Sequence, residues 1–205
     1  MDSSSDSRLA RQFAFLTELD KLKDILRQSL VAATRRNENS AEHSWHLAMM
    51  SLVLLEHVHA ENLDRLRILK MLLIHDIVEI DAGDTFLYDA LGNASKAEKE
   101  KAAATRIFSL LPPDQGRELR EIWDEFEAET TPEAKCAQCL DRLQAVLQNF
   151  NTDGAAWRRN RVSKQQVVER NRKIGAMMPE IWAVVERRLD EAEQAGWFAT
   201  EAATA

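Results

Sequence analysis

His75 and Asp76 stand side by side within residues 68–80, a stretch whose other members are almost all apolar. Burying an imidazole and a carboxylate strips both of hydration that only a hydrogen bond, a charge partner or a coordinated ion can replace. A divalent cation satisfies both groups at once, because neutral imidazole and carboxylate are ordinary ligands for such ions. A metal needs further ligands, and two candidates lie in similar settings. His43 falls in Asn39-Ser40-Ala41-Glu42-His43-Ser44-Trp45-His46, at the start of an apolar helical stretch, and Asp141 falls in Cys139-Leu140-Asp141-Arg142-Leu143. The alternative is a hydrogen-bonded His75–Asp76 pair tying helices together, with Asp141 paired to a basic neighbour. His46 fits packing beside His43 better than ligation, and His57 and His59, near Glu56 and Glu61, read as a solvated helix end.

The order His, His-Asp, Asp, together with Glu42-His43-Ser44 and the segment His75 to Asp84 ending in Gly83-Asp84, resembles the HD-domain metal-dependent phosphohydrolase superfamily. The resemblance runs from about Phe13 to Arg172 and is narrowest to the bacterial 5'-deoxynucleotidase branch. It implies a site of His43, His75, Asp76 and Asp141 holding one divalent ion per chain. Two imidazoles and two carboxylates suit Mn, Co, Fe, Zn or Mg. Binuclear relatives add histidines between the HD pair and the last Asp; all five histidines here lie at or before position 75, which favours one ion.

The resemblance also assigns catalytic work to Glu79 and Asp84: Glu79 to orient or deprotonate the attacking water, Asp84 to protonate the leaving alkoxide or contact the sugar. On a helix His75 and Glu79 are four apart and Asp76 and Glu79 three apart, so all three share one side. Without the resemblance Glu79 is a helix-end carboxylate and Asp84 a turn former. Arg27 matches the family's phosphate-contacting arginine, with Arg35 and Arg36 as alternatives. The Trp that follows this arginine in deoxynucleotidases is replaced by Gln28-Ser29.

The implied activity is hydrolysis of (deoxy)nucleoside 5'-monophosphates to nucleoside and phosphate. The alternatives are a triphosphate or another small phosphate ester, or a noncatalytic helical module stabilised by metal. A small-molecule nucleotide would be the partner, and the family's habit of pairing subunits implies a homodimer. The apolar face Ile181, Trp182, Val185 and Leu189 would serve as interface or as core.

Composition sets the outer limits. At 205 residues, 45% hydrophobic and 30% charged, the chain suits one soluble domain, and only 6 Gly and 4 Pro leave long stretches free to be helical. A net charge of -7 argues against a nucleic acid polymer as partner. No apolar run reaches a membrane span and Met1–Ser7 lacks the features of a secretory signal, so a cytoplasmic location is expected. Cys136 and Cys139 form a lone C-x-x-C, read as small residues on a helix rather than a redox or metal site.

The elements that must position the site are helices, predicted as an all-α, single-domain orthogonal bundle of the HD-domain type over residues 8–196. A disordered segment, 1–7, precedes it and a tail, 197–205, follows. A first helix is expected at about 9–32, carrying Phe13, Leu16, Leu19, Leu22, Ile25, Leu26 and Leu30 at helical spacing. Arg35–Ser40 makes a polar connector, and helices follow at about 41–59 and 63–80. Ser95 with Glu98 opens the next, to about Leu110, and Pro112-Pro113-Asp114 separates it from its successor. Thr131-Pro132 caps the helix carrying Asp141, which ends near Phe150. Ser163 with Gln166 caps another, and Met177-Met178-Pro179 precedes the last.

Overall fold

The first helix stops well short of its apolar pattern. In the computed structural model, which describes residues 3–88 and 90–199 except for the side chains of 3–6 and 90–95, α1 spans Ser3–Leu19 and a 3₁₀ turn follows at Asp20–Asp24. Leu26–Leu30 is then a strand, β1, paired antiparallel with β2 (Asn37–Asn39). The helix expected over 9–32 is thus three elements, because the chain must reverse within a few residues to bring both Arg27 and His43 to one pocket. Backbone bonds between Val31 and Arg36 and a left-handed Arg35, φ 58°, close that reversal. The burial register differs as well: α1 buries Phe15 and leaves Phe13 and Leu16 largely exposed. Ser3–Ser7, expected to lack order, belong to α1.

Asn39 caps α2 (Ser40–Leu54) through a capping box, its side chain accepting from the Glu42 N–H while Glu42 accepts from the Asn39 N–H. Then come α3 (Arg65–Ile74), a 3₁₀ segment at His75–Val78 and the single turn α4 (Glu79–Ala82). The helix expected at 63–80 is therefore continuous only to Ile74. Asp76 and Glu79, on either side of this junction, both face Arg27 Nη1, at 2.5 and 3.8 Å. Next are α5 (Ala90–Phe108), which begins before the expected Ser95 cap, and α6 (Pro113–Ala128). The long α7 (Pro132–Asn151) starts where Thr131 accepts from the Ala134 N–H. Four more helices follow among the described residues: α8 (Ala155–Arg159), α9 (Lys164–Asn171), α10 (Lys173–Met177) and α11 (Pro179–Gln194). Ser163 and Gln166 form the expected capping box at α9.

The fold is all-α, with one short two-stranded sheet among the described residues. At its centre α3 packs against α2, α6 and α7. Leu47, Ile68, Met71, Leu72, Trp123, Leu140 and Leu143 bury there almost completely, each worth roughly 1.5–3 kcal/mol of transfer free energy. Val185 and Leu189 of α11 are buried in the core, while Ile181 and Trp182 pack partly against it. Trp197 and Phe198, expected in a loose tail, also pack on the core, and the Ala199 N–H donates to the Val162 carbonyl. Cys136 and Cys139 are free and buried, and burial pushes their thiols up to about 12 and about 11. Thiols that hold their protons so firmly match the core reading.

Candidate metal centre

Three helical segments meet at one point. His43 comes from the first turn of α2, His75 and Asp76 from the 3₁₀ segment, and Asp141 from the middle of α7. Ligand atoms of His43, His75 and Asp141 lie within 4.8 Å of one another. Asp76 completes the group: its Oδ1 is 3.1 Å from His75 Nε2 and its Oδ2 is 3.7 Å from His43 Nε2. His43 Nε2 is 2.9 Å from Asp141 Oδ1.

The surroundings of His75 fix which ring atom faces this point. Its Nδ1 donates to the Leu72 carbonyl at 3.1 Å, leaving Nε2 buried without a hydrogen bond. Trp123 Nε1 donates to the His75 carbonyl, and the Phe126 ring lies 4.9 Å from the imidazole. A buried lone pair aimed at two carboxylates and a second imidazole is what a divalent ion requires, so the residues fit one.

Arg27 reaches the same point from β1. Its Nη1 donates to Asp76 Oδ2 at 2.5 Å and lies 3.8 Å from Glu79 and 3.6 Å from Asp84, while Nη2 is 4.0 Å from Asp141. Burial alone would make Arg27 easier to deprotonate, but the four carboxylates outweigh it and hold the guanidinium charged. Burial also depresses His75, against the opposing pull of the Asp76 and Asp141 charges. Burial pushes Glu79 well above the ordinary carboxylate range, with the Asp76 charge adding to it. Asp84 is raised by burial as well. Burial opposes ionisation of Asp76 and Asp141, yet both are held below the usual range, Asp76 by His75 and Arg27 and Asp141 by its bond to His43. Ser40 Oγ donates to Glu79 Oε2 at 2.6 Å.

These groups open into a cavity of about 390 Å³ that also touches Tyr88, Lys96, Glu127, Arg142, Trp157 and Asn171. Among the described residues, its wall sets four cations, Arg27, Lys96, Arg142 and Arg170, against seven carboxylates.

Arg35 and Arg36 do not reach the pocket, which corrects their candidacy for phosphate. The β1–β2 reversal turns both outward. Arg35 pairs with Asp153 at 2.9 Å, Arg36 forks onto Glu42, and each side chain is about half exposed. His57 and His59 are exposed as expected, His59 pairing with Glu180. His46 approaches the Gln144 amide at 3.3 Å. Lys96 and Glu38 were missed by sequence reasoning. Lys96 hid inside a helix-start signal, and Glu38 inside what read as a polar connector, although an acid five residues before a candidate ligand histidine was visible.

Two imidazoles and two carboxylates converging inside a helical bundle, around an adjacent His-Asp pair, define a class of protein: a helical domain with a buried N/O donor cluster of the kind that suits a divalent cation. The chain belongs to the HD domain family, whose sequence pattern matches residues 19–182. It is 31% identical over 135 residues to human 5'-deoxynucleotidase HDDC2, a match covering 65% of this chain and 64% of that protein's length. It is also similar to a Magnetospirillum magnetotacticum MS-1 protein of known structure, described as a predicted metal-dependent phosphohydrolase. That similarity is 46% identity with a TM-score of 0.91, over 98% of this chain and 100% of the other. The PH0347 protein of Pyrococcus horikoshii OT3 shares the fold, with a TM-score of 0.63 at 22% identity over 85% of this chain and 98% of that one.

Proposed function

We propose that this chain is a phosphohydrolase using one divalent ion, and that it converts nucleoside 5'-monophosphates, deoxy or ribo, to nucleoside and phosphate. The observation that carries the reading is the convergence of His43, His75, Asp76 and Asp141 beside Arg27, Glu79 and Asp84 in one pocket. The names borne by the human and Magnetospirillum relatives support the same chemistry. His43, His75, Asp76 and Asp141 would hold Mn, Co, Fe, Zn or Mg, and the ion when bound supplies Lewis-acid polarisation of a phosphoryl oxygen and activation of water.

The chain's own groups do the rest. Arg27 binds and orients the phosphate, its fixed fork matching the phosphoryl oxygens. Glu79, whose affinity for a proton is raised well above that of an ordinary carboxylate by burial, takes the proton as the water oxygen bonds to phosphorus. Asp84, which also holds its proton more tightly than an exposed Asp, gives one to the 5'-oxygen as the P–O bond breaks. Tyr88 and Trp157 line the same cavity, where the nucleoside would lie.

A monophosphate suits the charge balance better than a triphosphate, since the wall holds more carboxylates than cations. The test is phosphate release from mono-, di- and triphosphates by protein reconstituted with Mn²⁺ or Co²⁺. Faster release from triphosphates would replace the monophosphate reading. Absence of release with metal bound would leave another ester or the noncatalytic module.

A homodimer and a cytoplasmic location belong to the same reading. Free, buried cysteines fit a reducing compartment, and no described helix is long and apolar enough to cross a membrane. With Val185 and Leu189 consumed by the core, the face better suited to pairing is the exposed row Trp45, Met49, Leu52 and Val53 on α2. Trp45→Glu would then shift sedimentation from dimer to monomer, and an unchanged profile would remove this face from the interface.

A further inference from the structure

We infer that Glu38 is a positioning residue for the metal centre: it sets the ring proton of His43 so that Nε2 is free to ligate. The inference rests on the reading of His43 as a ligand. Glu38 lies on β2 and is 2% exposed. Its Oε1 accepts from Gln144 Nε2 at 2.8 Å and Gln148 Nε2 at 2.9 Å. Its Oε2 is buried with no hydrogen-bond partner and lies 3.8 Å from His43 Nδ1, itself buried and unbonded. Each is an unmet polar atom facing the other, on the side of the imidazole away from Asp76 and Asp141.

The chemistry of ligation explains why a carboxylate belongs there. A neutral imidazole has one ring proton, and if Nε2 is to coordinate, that proton must be on Nδ1. Glu38 Oε2 is the acceptor facing it, within about one ångström of hydrogen-bond distance. A carboxylate in this position fixes both tautomer and ring orientation and makes the imidazole a stronger donor to the ion. Gln144 and Gln148 hold the carboxylate in place. They sit three and seven residues after Asp141 on α7, so the brace fastens one ligand's partner to the helix that carries another.

Glu38→Gln changes one oxygen to an amide with almost no change in size. The two glutamine amides demand an acceptor at the Oε1 position, which sends the new N–H donor toward His43 Nδ1. That donor favours the proton on Nε2, the wrong tautomer for ligation. The variant should bind Co²⁺ about 10- to 100-fold more weakly in competition with a chromogenic chelator. Its melting temperature after metal removal should stay within about 3 °C of the parent. In the parent loaded with Zn²⁺, ¹⁵N histidine spectra should place the His43 proton on Nδ1.

If Glu38→Gln does not fold, Gln148→Met, which removes one donor to the carboxylate, should still weaken Co²⁺ binding about threefold or more. Unchanged affinity in the folded variants, or a His43 proton on Nε2 in the loaded parent, overturns the role of Glu38. A parent that binds no Co²⁺ overturns instead the metal reading beneath it.

Discussion

Arg27→Met is the sharpest test of how the pocket is balanced, because it removes the one cation that, among the described residues, directly contacts Asp76, while keeping much of the side chain's length. Arg27 faces Asp76 at 2.5 Å and three further carboxylates at 3.6 to 4.0 Å, with only 13% of its side chain exposed. Removing one partner of a buried ion pair costs about 3–5 kcal/mol, because the other charge is left uncompensated. The pocket is open at one side, so the lower end, about 3 kcal/mol, applies here. For a domain of this size that is a fall of about 6–12 °C in melting temperature after metal removal. Saturating Mn²⁺ supplies positive charge to the same carboxylates, so the gap between variant and parent should narrow clearly when metal is added. Activity should not recover with it: losing the phosphate-orienting guanidinium should lower kcat/KM about 10²- to 10³-fold even at saturating metal. Thermal melts with and without Mn²⁺ and phosphate-release kinetics read all three. A melting-temperature gap that is absent, or the same with and without metal, would refute the electrostatic reasoning; a kcat/KM within tenfold of the parent would refute the phosphate role.

Glu79→Gln should keep the metal and lose about 10²- to 10⁴-fold in turnover, as expected for a general base, with metal content by mass spectrometry checking the first half. Without metal the same variant should be more stable than the parent at pH 8 and not at pH 4. Burial raises the folded-state pKa of Glu79, so its carboxyl costs stability once the pH passes the ordinary value near 4.5, and the cost grows until the folded group ionises. Asp141→Asn should bind Co²⁺ far more weakly and lose hydrolysis while far-ultraviolet circular dichroism stays unchanged; full metal occupancy would remove Asp141 from the ligand set. Arg35→Ala with Arg36→Ala should leave KM for monophosphates within about twofold, since both are exposed and paired outside the pocket. Gly154→Ala should destabilise by about 1–3 kcal/mol in urea titration, because φ is +67° there and a Cβ would lie 2.7 Å from Trp197 Cβ.

The sequence by itself determined the local and the chemically expensive features. A His-Asp pair in an apolar run marks itself, because nothing else in such a run would tolerate both groups, and His43 and Asp141 stand out for the same reason. Helix starts at Thr131 and Ser163 were legible because a cap is made by residues a few positions apart. The all-α class followed from the scarcity of glycine and proline and from repeated helical spacing.

Only the tertiary structure decided what depends on residues far apart in the chain. Leu22, Ile25, Leu26 and Leu30 keep helical spacing, yet their segment becomes a 3₁₀ turn and a strand because β1 must pair with β2 and pack against α7 and α8. That reversal separates Arg27, which enters the pocket, from Arg35 and Arg36, which do not, although all three looked alike as arginines near a connector. It also carries Glu38 behind His43, where Gln144 and Gln148 arrive from more than a hundred residues away. Charge type and spacing are written along the chain, but whether a charge faces a ligand or the solvent is settled by long-range packing, which local periodicity does not encode.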